Sequence, residues 1–258
     1  MSYNVWSRED IFVYKRTLAI GALVKKHDPD VIFFQEVTPY IRSIFEDLEW
    51  WNKYHCSPLS KFPLNNFASH KFADSPTGRG YLEADVTPGD PAATKPIHVA
   101  TTQLERPAPP APMRCAERHA QARHAVAALG GTANVVLGGD MSWGDDADGP
   151  FPLPAGWADA WAAMKKPLIS LPSDDWTHDA VWNEEPAAFN GHVATSASMR
   201  KRADRFLCKL RDYRLSSMIG DQSVGLWYVR ESLIAERWTN INLKPSCHRG
   251  VVLTIVPK

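Results

Sequence analysis

Asp30-Val31-Ile32-Phe33-Phe34-Gln35-Glu36-Val37-Thr38-Pro39 is the stretch whose reading decides the fold class. Its successive apolar residues, Val31 to Phe34, show no polar alternation, which is the pattern of a strand buried on both faces. Upstream, Leu18, Ile20, Leu23 and Val24 fall roughly on one face of a helix predicted from Tyr14 to Lys26. Asp28-Pro29 stops that helix, because a proline pushes the residue before it out of helical geometry. Residues 2–6 read as a first strand. Further apolar strands are predicted at Ile97 to Thr102, Val135 to Leu137 and Val251 to Val256, and Glu117 to Leu129 reads as helical. Strand alternating with helix predicts a layered α/β domain.

A chain of 258 residues with 44% hydrophobic residues is long enough for one sizeable core, so a single domain over residues 1–258 is expected. The Pro/Ala-rich stretches 106–112, 149–156 and 167–172 read as surface connections rather than linkers. With 29 Lys+Arg against 29 Asp+Glu, no global field draws the chain to nucleic acid or membrane, and any polyanion must be met by a local patch. Cys56, Cys115, Cys208 and Cys247 show no CxxC and no zinc-ligand spacing, which predicts reduced thiols. No apolar run approaches the roughly 18 residues of a membrane span, and the first residues lack the regions of a signal peptide. A monomer in the nucleus or cytoplasm, not secreted and not in a membrane, is the expectation. The first residues already read as a strand, which leaves open a preceding extension and any targeting signal on it.

Function is signalled by a recurrence. Asn4, Glu36, Asp140, Asp204 and His248 each stand at the edge of an apolar run. A single strand-end Asp or Asn is read as a turn cap; the repetition argues for a shared site. Carboxylate and amide oxygens are the ligands a hard cation such as Mg²⁺ prefers, usually with only one or two carboxylates and several waters, and Glu36 fits the lone protein carboxylate.

The motifs that carry these residues, in order, resemble the endonuclease/exonuclease/phosphatase family. They are Met1 to Trp6, Asp30 to Pro39, Thr101 to Glu105, Gly138 to Trp143, Phe151 to Trp161, Trp176-Thr177, Lys201 to Leu210 and Pro245 to Ile255. The resemblance runs along nearly the whole chain and is greatest to the family's DNA-end branch in its plant-like form. It implies a two-sheet α/β sandwich with helices on the outer faces. It also implies a Mg²⁺-dependent phosphodiesterase (Mn²⁺ as substitute) that acts on single-stranded or 5′-overhanging DNA ends and removes a tyrosine linked to a 5′ phosphate. In that resemblance Glu36 and Asn4 hold the metal, Asp140 orients the attacking water, and Asp204 fixes the ring of His248, which contacts the phosphate. Such a displacement needs a cation, a carboxylate beside the water and donors on the phosphate oxygens.

Three positions depart from the family pattern. Its Thr-His-Leu reads Thr102-Gln103-Leu104, its Gly-Asp-x-Asn reads Gly139-Asp140-Met141-Ser142, and its Ser-Asp-His reads Ser246-Cys247-His248. Gln103 still donates a hydrogen bond but never carries an imidazolium charge, Ser142 is short, and a thiol is a poor partner for a hard cation. The family also has more residues between Ser57 and Lys61. Reduced activity is therefore expected, and a catalytically silent homologue that binds DNA ends or a protein partner remains an alternative. A relative hydrolysing a small phosphorylated lipid or sugar is the third reading. For substrate contacts, Arg205 and the basic run Arg200, Lys201, Arg202, Lys209, Arg211 and Arg214 read either as a track for a DNA backbone or as a solvated face. Trp143 is expected to be exposed beside Asp140, where it could stack a nucleobase or a tyrosine ring.

Overall fold

A computed structural model of the chain describes residues 1–55, 59–89, 94–107, 113–164, 176–179, 200–219, 232–234, 237–239 and 244–258. In chain order the elements are β1 (Ser2–Asn4), α1 (Val13–His27), β2 (Val31–Gln35), α2 (Pro39–Glu46), a 3-10 helix (Glu49–Lys53), β3 (Leu59–Ser60), β4 (Leu64–Lys71), β5 (Gly80–Val86), β6 (Ile97–Gln103), α3 (Cys115–Leu129) and β7 (Asn134–Asp140). There follow α4 (Asp145–Asp148), β8 (Ala158–Asp159), α5 (Ala160–Met164), β9 (His178–Asp179), β10 (Arg200–Lys201), β11 (Asp204–Leu210), β12 (Tyr213–Ile219), β13 (Ser232–Ile234), β14 (Arg237–Thr239) and β15 (Val252–Pro257). No described helix is long and apolar enough to cross a membrane.

Two sheets face each other. One has the strand order β4-β5-β6-β7-β11-β8. The other is β1-β2-β3, continued through reciprocal backbone bonds between Ser2 and Val251 (2.8 and 2.9 Å) into the β15-β12 pair. Side-chain alternation sorts the core into three zones. Along β7, Val135 and Leu137 pack with Ala122, Ala125, Val126 and Leu129 of α3, while Val136 turns inward to Phe33, Val99, Phe206 and Leu253. Tyr3 and Ile32 pack outward with Ile20, Leu23, Phe45 and Trp50. Helices thus cover both outer faces, and the expected two-sheet α/β sandwich is the architecture found.

Differences from the sequence reading have local causes. The first strand stops at Asn4 because Trp6 takes a left-handed backbone (φ 60°). The helix over residues 13–27 ends where Asp28, itself left-handed (φ 42°), donates its N–H to Val24 O, so the Asp28-Pro29 stop is real. β4, β5, β11 and β12 were not anticipated; most of β4 is exposed and offers no apolar run. β7 runs on through Gly138-Gly139 to Asp140, past the predicted strand end at Leu137. A Cβ on Gly138 would lie 2.5 Å from the Phe206 ring, and one on Gly139 (φ 152°) would lie 2.0 Å from Thr102 O. The glycines let β6 and β7 close up and place Gln103 opposite Asp140. Gly139→Ala is therefore expected to cost about 2–4 kcal/mol of folding stability. Urea denaturation measures it, and an unshifted midpoint would contradict the close approach.

Residues 56–58, in the stretch where the family is expected to be longer, lie outside the described residues. Among the described residues, β3 pairs with Val31 and Ile32 of β2 and, through Ser60, with His55.

Candidate functional site

The sandwich gathers strand ends. β1 and β2 run parallel with Asn4 opposite Gln35, so Asn4 and the next residue after β2, Glu36, emerge together. β6 and β7 are parallel with Gln103 opposite Asp140, and antiparallel β11 begins with Asp204 opposite Asp140. The segment before β15 brings His248 to the same end, where the Ser246 hydroxyl donates to Asn4 O (2.7 Å). Asn4, Glu36, Gln103, Asp140, Ser142, Asp204 and His248 therefore converge, as the sequence predicts, at the end of the sheets where parallel strands of α/β folds present ligand sites.

Glu36 and Asp140 face one another across two amides. Asn4 Nδ2 donates to Glu36 Oε1 (3.1 Å) and Asp140 Oδ2 (3.0 Å); Gln103 Nε2 donates to the same two oxygens (2.8 and 3.2 Å). Ser7 gives its N–H and hydroxyl to Glu36 Oε2 (3.1 and 3.0 Å), and Ser142 gives its N–H and hydroxyl to Asp140 Oδ1 (2.7 and 3.2 Å). Burial opposes the charge on Glu36, but the bonds from Asn4, Ser7 and Gln103 outweigh it and hold its carboxyl below the usual range. Glu36 takes φ 61° and Ser142 φ 47°, left-handed conformations that cost an L-residue about 1–2 kcal/mol. Both are held in place by these bonds.

His248 and Asp204 form the second half. His248 Nδ1 lies 2.9 Å from Asp204 Oδ2, and Nε2 points across a 3.8 Å gap to Asp140 Oδ2. Burial alone would push the imidazole down, yet the carboxylates of Asp204 and Asp140 raise it well above the ordinary histidine range. Burial also raises Asp204, so the pair retains its proton. The raised His248 value supports the folded state fully below the unfolded value of about 6.5 and withdraws that support as pH climbs through the folded one. Asp204→Asn removes the nearest carboxylate but not the burial, so the His248 titration should fall toward or below the ordinary value. An NMR titration of the ring reads this directly; an unmoved midpoint would show that Asp204 is not the cause.

As a place for a divalent cation the donor set fits in chemistry. Two carboxylates are held close together, with neutral amides between them. Asp140, Asp204 and His248 also bring ligand atoms within 4.8 Å of one another. Two details qualify the sequence reading. Asn4 Oδ1 accepts the Trp6 N–H (2.9 Å), so Asn4 turns its N–H groups, not an oxygen, to the site. Glu36 already accepts from four neutral donors, so an ion reaching it must displace one.

Two expected substrate contacts are corrected. Trp143 is 0% exposed: its N–H donates to Gly149 O (2.8 Å) and its ring packs 4.5 Å from His119 and 4.6 Å from Phe151. It is core, because α3 and the 149–153 segment fold over it. Arg205 is buried as well, donating to Asp145 Oδ1 (2.7 Å) and Asp159 Oδ2 (3.1 Å). Of the basic run, Arg202 pairs with Asp159 and Lys209 donates to Gly130 O, while Arg211, paired with its neighbour Asp212, and Arg214 lie exposed, a solvated face. The side chain of Arg200 lies outside the described residues, as do Cys56 and the 167–172 loop; the other cysteines are free thiols.

Sequence reasoning missed three supporting residues, Ser7, Arg79 and Arg16, and read a fourth, Lys201, only as part of the basic run. Ser7 secures Glu36. Arg79 donates to Gln103 Oε1, and Lys201 Nζ donates to Ser142 O (3.2 Å). Arg16, 1% exposed on α1, donates to the carbonyls of Val5, Ile11 and Pro245 and lies 4.7 Å over the Trp6 ring. It ties the loop after Asn4 to the loop before His248. A buried arginine on an otherwise apolar helical face was the only available signal.

A family profile described as "Endonuclease/Exonuclease/phosphatase family" matches residues 1–221. Among solved structures the chain is similar to D. rerio TDP2 complexed with single strand DNA product, at 18% identity and a TM-score of 0.71 over 99% of this chain and 97% of that one. It is similar to truncated Caenorhabditis elegans TDP2 at 19% identity and TM-score 0.70, covering 100% and 96%. The human Nocturnin catalytic domain with bound sulfate anion matches at 14% identity and TM-score 0.61, covering 99% and 93%. At these identities the likeness is one of fold. No curated protein sequence matches the chain.

Proposed function

Because this chain belongs to the Endonuclease/Exonuclease/phosphatase family, we propose that it is a Mg²⁺-dependent phosphodiesterase of DNA ends, hydrolysing the bond between a tyrosine and a 5′ phosphate with reduced turnover. The observation that carries this reading is the pairing of Glu36 and Asp140 across shared amides, with His248 Nε2 3.8 Å from Asp140 Oδ2. A divalent ion bound at Glu36 would neutralise charge developing on the phosphoryl oxygens. Asp140, hydrogen-bonded through both oxygens, would orient the attacking water and accept its proton. His248 donates to a non-bridging oxygen, and Asp204 keeps its ring oriented and charged. Asn4 and Gln103 hold the carboxylates at their spacing.

The tyrosyl linkage suits this equipment. A departing phenolate has a conjugate-acid pKa of about 10, so it leaves with less protonation than a sugar alcohol. The single strand DNA product held by D. rerio TDP2 supports a DNA end as the substrate class. One observation favours a second reading, a silent homologue that binds DNA ends or a protein partner: the Gln103 amide occupies Glu36 Oε1 and Asp140 Oδ2, where an ion would be held.

Steady-state hydrolysis of a 5′-phosphotyrosyl oligonucleotide with Mg²⁺, beside the Glu36→Ala variant, separates the two. Turnover that vanishes in the variant supports the enzyme. Turnover no greater than the variant's supports the silent homologue.

A further inference from the structure

Among the groups placed around Asp140 Oδ2, the amides of Asn4 and Gln103 are neutral and only His248 carries positive charge. Arg79 meets the far end of the Gln103 amide, at Oε1. On the other side of the carboxylate, the Ser142 side chain ends at a hydroxyl turned onto Asp140 Oδ1 (3.2 Å) and presents no amide to a phosphate. The cation nearest to that side is Lys201 of β10, whose Nζ donates to Ser142 O (3.2 Å).

Backbone bonds fix where Lys201 stands. It is opposite His178 across the β9-β10 pair, and its carbonyl accepts the Thr177 N–H (3.0 Å). The Thr177 hydroxyl in turn accepts the Asp204 N–H (2.8 Å), and Ala203 O accepts the Met141 N–H (2.7 Å). Lys201 is thereby held between the start of β11 and the turn that follows Asp140. Its stem runs along that turn: a Cβ built on Gly144 would lie 3.8 Å from Lys201 Cβ and 3.9 Å from its Cδ, ordinary contact distances.

An ammonium has three N–H groups to give. One goes to Ser142 O, and among the described residues Lys201 has no ion-pair partner, whereas Arg202 and Arg205 of the same run are paired with Asp145 and Asp159. Burial lowers the Lys201 pKa, and the charge of Asp140 draws it back up. A phosphate entering the site would add a second anion and favour the ammonium further.

We propose that Lys201 is a phosphate-binding residue of this centre: its remaining N–H groups contact non-bridging oxygens of a 5′ phosphate on the Oδ1 side of Asp140, across from His248 at Oδ2, and supply positive charge that Gln103 does not. The inference rests on the reading of the site as one for DNA ends carrying a 5′ phosphoryl group.

Fluorescence anisotropy with a 5′-phosphorylated oligonucleotide, beside the same oligonucleotide ending in a 5′ hydroxyl, reads this contact apart from hydrolysis. The comparison cancels attraction to the rest of the backbone. The parent chain should prefer the phosphorylated end. Lys201→Met keeps the stem against Gly144 but removes the charge, and should reduce that preference about 10–100-fold; Lys201→Arg should retain most of it. Circular dichroism checks that both variants are folded. No preference in the parent, or a preference unchanged by Lys201→Met, would overturn the proposal. Glu36-dependent turnover tests the phosphodiesterase reading separately, since a silent homologue that uses Lys201 in this way would still prefer the phosphorylated end.

Discussion

Glu36→Ala should lower turnover of a 5′-phosphotyrosyl oligonucleotide by about 10³-fold or more, to the level of the uncatalysed background. The magnitude follows from how the residue is held. Glu36 adopts a left-handed backbone at the end of β2, accepts four hydrogen bonds and stays ionised despite its burial. Its neighbour Asp140 is bonded through both oxygens, so neither position can take over the other's role. The loss should appear in kcat and resist added Mg²⁺. A variant within tenfold of the parent rate would remove Glu36 from the centre and with it the proposed chemistry.

The opposite change has an effect of similar size. Restoring the family residues together, Gln103→His, Ser142→Asn and Cys247→Asp, should raise kcat by about 10²–10⁴-fold, with the exponent limited because residues acting as a unit do not add. The structure gives each substitution a reason. Gln103 presents a neutral amide to Glu36 and Asp140, whereas an imidazolium brings charge to the phosphate. Ser142 sits at φ 47°, a conformation asparagine adopts more readily than serine, and its short hydroxyl reaches only Asp140. Cys247 adjoins His248 and offers a thiol where a carboxylate could hold a hydrated hard cation. Single-turnover rates on the parent and the triple variant measure the gain. An unchanged rate would place the limit in the cleft, with the two-residue β3 as the next candidate.

Much of this was legible because burial and period are local properties. The run Val31 to Phe34 announced a doubly covered strand, and the polar residue closing each such run marked the site end. What was not legible depends on partners far along the chain. Arg205 reads as a free cation until Asp145 and Asp159, 60 and 46 residues away, take up its guanidinium. Trp143 stands among glycine and aspartate, the composition of a surface turn, yet His119 and Phe151 close over it. β4 lies on an exposed edge with most of its residues in solvent, which leaves no apolar signature. The orientation of the Asn4 amide was likewise beyond reach, since it is set by the Trp6 N–H after the chain has turned.

The seam between Ser2 and Val251, and the bond from Ser246 to Asn4, carry a consequence for synthesis. The first strand of the sheet completes its pairing with a segment translated nearly 250 residues later. At roughly 5–20 residues per second, β1 waits tens of seconds for that partner. During this interval the edge it will offer to Val251 is open on the nascent chain, and Asn4 stands at a centre without its histidine. The cluster of Asn4, Glu36, Asp140 and His248 is therefore completed in one late step, at the closing of the seam, and cannot build up as the chain emerges.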